Sequence, residues 1–153
     1  MKSWSLKAVR AAVYLLVGLS SHVALAEEPA GTVTVEISGM ASATGNVFIA
    51  VYDSDDTWLG DDVVMSKKVA IADALDGELV RTELQLPPGE YALSVFYDRD
   101  DDGELDTNFI GIPKEPVALS NNVVPKFGPP SYSDAVFSVG AEPVTQSIIM
   151  RDM

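Results

Sequence analysis

Six carboxylates crowd the nine residues from Asp98 to Asp106, DRDDDGELD, around a single glycine. Asp98, Asp100 and Asp102 fall at the first, third and fifth positions of a calcium-type loop, Gly103 at the turning sixth, Glu104 at the seventh and Asp106 at the ninth. Alternating carboxylates at that spacing wrap one hard cation because the glycine lets the chain fold back on itself. Calcium is the expected ion, with Asp98, Asp100, Asp102, Glu104 and Asp106 as its candidate ligands. Calcium takes roughly six to eight oxygens and this run offers about five. The twelfth position, where an EF-hand places its bidentate Glu, is Phe109, and the run follows a strand and not a helix, so the loop is of a different kind.

The missing oxygens have three candidate sources: Asn108, water, or a neighbouring segment. Ile49 to Asp56 (IAVYDSDD) and Ser94 to Asp101 (SVFYDRDD) share a hydrophobic stretch that ends in Tyr-Asp. If those strands run parallel, Asp53 or Asp55 lies beside the loop and completes the shell. The plain alternative is a solvated hairpin tip. Four aspartates between Asp98 and Asp102 repel one another without a cation, which favours occupancy.

Other chemistry is thinly provided. The chain has no cysteine and one histidine, His22, so beyond that residue there is no Ser-His-Asp triad, no thiolate and no imidazole ligand. Carboxylate pairs such as Asp53 with Asp98 are conceivable for glycoside hydrolysis, which needs only two acids at a defined separation. Trp58, flanked by Thr57 and Leu59 in an acidic stretch, is the best candidate for an exposed aromatic that a glycan would stack on.

The amino end bounds the setting. Lys2, Lys7 and Arg10 precede an apolar run from Ala11 to Leu19, and Ala24-Leu25-Ala26 closes the segment, the order of a cleavable secretory signal. Nine apolar residues are too few for a bilayer span of roughly 20. Cleavage after Ala26 is expected to leave residues 27–153 as one domain without a membrane anchor, periplasmic or secreted. Removing three basic residues takes the net charge from −13 to −16, which repels nucleic acid and favours divalent cations as partners. An envelope protein or a glycan is the other expected partner.

Strands must position the acidic run. Thr32 to Ile37 alternates Val33, Val35 and Ile37 against polar neighbours, and Glu78 to Leu86 alternates in the same way. Asn46 to Tyr52, Ser66 to Ala70, Glu90 to Tyr97, Ala135 to Val139 and Gln146 to Arg151 are the other expected strands. Pro87-Pro88-Gly89 reads as the tight turn of a hairpin. Residues 108–133 carry five prolines and little periodicity, so a long ordered or partly ordered connection is expected there, with a short turn near 131–134. The fold class that follows is all-β, an antiparallel β-sandwich of about seven strands with a long Pro-rich loop.

The carboxyl half also carries a resemblance. DRDDDGELD, Thr107-Asn108, GIP at 111–113, SNN at 120–122 and FGPPSYSDAVF at 127–137 together resemble a family of small exported bacterial proteins catalogued as a conserved domain of unknown function. Leu-Pro-Pro-Gly-x-Tyr belongs to the pattern as well. Ala118-Leu119 stands where that family commonly shows Gly-Phe. The resemblance implies a transthyretin-like sandwich, of the kind seen in carboxypeptidase regulatory domains, and brings no activity with it. It further implies an ordered flap over 108–134 laid beside the acidic loop. Asn108, Asn121, Asn122 and Ser131 would then give it oxygens or hydrogen bonds, unless they only cap turns. The function expected is a binding or structural module stabilised by calcium, with a carboxylate-based enzyme on envelope polysaccharide or a carbohydrate-binding module as alternatives.

Overall fold

A computed structural model describes residues 29–126 and 128–151. The expected signal segment 1–26 and Phe127 lie outside the described residues. None of the helices described is long and apolar enough to cross a membrane.

Nine strands account for most of the regular structure among the described residues: β1 Gly31–Ser38, β2 Asn46–Tyr52, β3 Met65–Ala70, β4 Leu75–Asp76, β5 Leu79–Leu86, β6 Gly89–Asp98, β7 Val117–Leu119, β8 Phe137–Val139 and β9 Val144–Ile149. Two four-residue helices, α1 Ile71–Ala74 and α2 Tyr132–Ala135, and a 3-10 turn Ser120–Asn122 sit in the connections. Each of the seven expected strands has a counterpart, but the one expected over Ala135 to Val139 is confined to Phe137–Val139, because Ala135 ends α2, and the one expected over Gln146 to Arg151 runs from Val144 to Ile149. The two additional ones, β4 and β7, are two and three residues long, too short for any periodicity to show.

One sheet runs in the order β4-β5-β1-β9 and the other in the order β3-β2-β6-β7, with β8 also on β6. Alternation sets which face of each strand is buried. Val33, Val35 and Ile37 of β1 and Val80, Leu84 and Leu86 of β5 are buried to within 2 % exposure, while Arg81, Glu83 and Gln85 face solvent. From the second sheet Val47, Ile49, Val51, Leu93, Val95 and Tyr97 join the same apolar cluster, so one core lies between the two sheets. Each fully buried aliphatic side chain there contributes about 1.5–3 kcal/mol. Phe48 and Phe96 face outward from the second sheet and stack with ring centres 4.8 Å apart.

Two expectations about connectivity are corrected. β9 lies parallel to β1, so the sheets are not purely antiparallel. Pro87-Pro88-Gly89 is not a hairpin turn, because β5 and β6 belong to different sheets. The prolines have no N–H to give to a ladder and fix the corner at which the chain crosses the core. The Tyr91 hydroxyl closes it by donating to the Pro87 carbonyl at 3.0 Å, which gives Leu-Pro-Pro-Gly-x-Tyr a mechanical meaning.

Candidate metal centre

Strand β6 delivers Asp98 as its last residue, and the side chain is fully buried. A buried carboxylate needs donors. Its Oδ1 accepts from the Asp101 backbone N–H at 2.7 Å and its Oδ2 from the Gly103 N–H at 3.1 Å. The chain can only return those N–H groups by coiling around Asp98, with Asp101 and Gly103 at φ +63° and +83°. Gly103 adopts that conformation without strain, and Asp is among the residues that tolerate it. Asp102 in turn accepts from the Glu104 N–H at 2.8 Å.

This coil draws three carboxylates together. Ligand oxygens of Asp98, Asp100 and Asp102 lie within 4.8 Å of one another, so the three can hold a metal ion. Glu104 and Asp106, the other two candidate ligands, are not in that group. Asp106 lies with Lys114, whose Nζ is 3.9 Å from its carboxylate and whose backbone N–H donates to its carbonyl. Asp101 has other partners: Asn46 donates to its Oδ1 and Lys68 Nζ approaches to 2.9 Å. The Lys68 hydrogen bond first, and then its charge, holds the Asp101 carboxyl below the usual range.

Glu115 is the residue that sequence reasoning missed. It is 7 % exposed, and its two oxygens accept from the Arg99 N–H at 2.9 Å and the Asp106 N–H at 3.3 Å. One carboxylate thus clasps both ends of the acidic turn. Its only sequence signal is a carboxylate placed directly before Pro116, where β7 is about to start.

Several expected contributors lie elsewhere. β2 and β6 pair antiparallel, Asn46 facing Asp98 and Tyr52 facing Ala92. Asp53 and Asp55 therefore leave the opposite end of the sheet, about 20 Å away at roughly 3.3 Å per residue. They cannot complete the shell, and Asp53 with Asp98 cannot act as a carboxylate pair. Asn108 Oδ1 accepts from the N–H groups of Ile110 and Ile112, both at 3.0 Å, and builds its own turn. Asn122 bonds to the edge of β9 through Ser147 O and Ile149 N–H, and Asn121 bonds to the carbonyls of Asp134 and Val136. Ser131 donates to Asp134. These side chains fasten turns and edges.

Trp58 is half-buried and not a free platform. Its indole packs edge-on against Tyr52 and Tyr132, and its Nε1–H donates to the Pro130 carbonyl at 2.8 Å. It pins the Pro-rich segment to the far end of the second sheet.

Comparison with known proteins gives one family. A model described as an uncharacterized protein conserved in bacteria (DUF2141) matches residues 35–147, well over half of the chain. No curated protein and no solved structure matches.

Proposed function

The chain belongs to the DUF2141 family of uncharacterized bacterial proteins, and on that premise we propose that it is an exported binding or structural module, a transthyretin-like sandwich whose acidic turn is held by calcium. The observation that carries this reading is the convergence of Asp98, Asp100 and Asp102. Three carboxylates that close cost free energy through mutual repulsion unless a cation sits among them. A hard ion with an oxygen-only shell suits the donor set, which contains neither nitrogen nor sulfur. Water fills the positions that protein oxygens do not. The ion's role is to fix the end of β6, and with it the segment that Glu115 ties to that end. Export follows from the charged, apolar and small-residue order of the first 26 residues.

The test is metal analysis of protein purified without chelator, paired with melting curves in calcium and in chelator. Calcium at ten times its dissociation constant is expected to stabilise the fold by about 1.4 kcal/mol. In Asp100→Asn/Asp102→Asn the gain disappears, and the metal-free form melts no lower than the wild type because repulsion has been removed. Superimposable wild-type curves in millimolar calcium and in chelator would refute the calcium reading.

A further inference from the structure

An aspartate followed by glycine can rearrange its own main chain, because glycine has no Cβ to shield its nitrogen from the neighbouring carboxyl. The chain has two such pairs, Asp76–Gly77 and Asp102–Gly103. Exposure and backbone angle do not separate them. Both aspartates are exposed, and the glycines sit at φ +66° and +83°. Their hydrogen bonds do separate them.

Asp102–Gly103 is held on both sides of the bond that would have to form. Asp102 Oδ1 accepts from the Glu104 N–H at 2.8 Å, and the Gly103 N–H donates to Asp98 Oδ2 at 3.1 Å. Attack of the Gly103 nitrogen on Asp102 Cγ would remove a donor from Asp98, a fully buried carboxylate. Asp76–Gly77 stands at the open corner of a hairpin. Asp76 pairs with Leu79 across β4 and β5, so Gly77 and Glu78 are the central residues, with glycine in the first place as a type II′ turn requires. The N–H of that first central residue points away from the ladder, and among the described residues no hydrogen bond engages it. A Cβ on Gly77 would meet nothing within 4 Å, so the approach to the peptide is clear. Arg81 Nη1 donates to Asp76 Oδ2, but with side chains 46 % and 64 % exposed such a pair opens at little cost.

We propose that Asp76–Gly77 is a site of spontaneous main-chain isomerisation in the folded protein, and that the coil around Asp98 shields Asp102–Gly103 from the same reaction. The Gly77 nitrogen bonds to Asp76 Cγ, and its proton leaves with the carboxyl hydroxyl as water. The resulting five-membered imide then takes water back. Opening at the side-chain carbonyl returns aspartate. Opening at the main-chain carbonyl leaves isoaspartate, with the chain routed through the former side-chain carbons. Mass and oxidation state are unchanged, and water is the only reagent. The product carries an extra main-chain carbon at the corner between β4 and β5 and a carboxylate one carbon shorter in its reach toward Arg81.

The experiment is prolonged incubation of the folded protein at mildly acidic pH, followed by peptide mapping with electron-transfer fragmentation, which distinguishes isoaspartate from aspartate. Chelator is present throughout, so the outcome does not depend on the calcium reading. Isoaspartate is expected to accumulate at Asp76 and to lag severalfold or stay undetected at Asp102. In guanidinium chloride the two sites are expected to react at similar rates, because the shielding hydrogen bonds are gone. Asp76→Glu would have to close a six-membered ring and is expected to lose the modification at that position, with circular dichroism as in the wild type. Equal isoaspartate at both sites of the folded protein, or none at Asp76, overturns the proposal. So does the same lag of Asp102 in guanidinium chloride, which would assign the difference to local sequence and not to the fold.

Discussion

Ser120 replaces a missing stretch of strand with one hydroxyl. β6 is paired to β8 along Gly89–Tyr91 and to β7 along Ser94–Phe96, which leaves the Leu93 N–H facing the gap between them. Ser120 Oγ accepts from that N–H at 2.9 Å and donates to the Ala135 carbonyl at 2.6 Å. Ser120→Ala is expected to cost about 1–3 kcal/mol, because two polar groups lose their partner in a site closed to water; urea denaturation measures it. A change within experimental error would mean that the gap admits water. Asn122 does related work at the edge of β9, occupying an N–H and a carbonyl that would otherwise invite another strand. The SNN motif was legible in the sequence as a motif, but its task was not. Its partners stand as far as 27 residues away and are backbone groups, which carry no sequence signature.

Among the connecting elements, the crossing from β1 to β2 bears most directly on the acidic turn. Gly45 ends it at φ +87°, and a Cβ there would stand 2.6 Å from the Asp98 carbonyl, too close to the backbone that roots the turn. Gly45→Ala is therefore expected to destabilise by about 1–3 kcal/mol and to reduce the stabilisation gained from calcium. Gly77→Ala is the comparison: it shares a positive φ of +66° but would meet nothing within 4 Å, so only its backbone strain is felt. Melting curves of both variants with and without calcium separate strain from displacement of the turn. At this scale the strands were readable because alternation is a property of neighbours in sequence, as in β1 and β5. Assignment of strands to sheets was not, and the Pro87-Pro88-Gly89 corner is the clearest case: a tight reversal looks the same locally whether it returns to its own sheet or crosses to the other.

Across the molecule, the end opposite the acidic turn is closed by aromatic residues. Tyr52 donates to the Gly60 carbonyl at 3.3 Å and Tyr132 to the Glu90 carbonyl at 3.1 Å, with Trp58 packed between their rings. Burial, and then the charge of Asp61, raises the Tyr52 pKa; burial, and then Asp53, Glu90 and Tyr91, raises that of Tyr132. A raised pKa means that the folded state binds the proton more tightly than the unfolded chain. The resulting stability is complete below the ordinary tyrosine value of about 10 and is lost as pH rises through the raised folded values. Melting temperature is expected to be insensitive to these groups at neutral pH and to fall at alkaline pH. The alkaline part of the fall should shrink in Tyr52→Phe. Ultraviolet absorbance of tyrosinate, followed beside the melting curves, checks that ionisation and destabilisation coincide.

The amino-acid sequence alone determined what depends on short separations. It specified the alternating strands, the corner residues, and the Asp98-Asp100-Asp102-Gly103 spacing that coils a chain around one buried carboxylate. Each of these is governed by backbone geometry and hydrogen bonds within a few residues. The tertiary structure decided what depends on which strands meet: the antiparallel register that sends Asp53 and Asp98 to opposite ends, β9 parallel to β1, Glu115 brought beneath the acidic turn, and Phe109 left in water beside it. Those outcomes follow from closing one core between two sheets and finding a partner for every buried polar group, conditions that act on the whole chain at once.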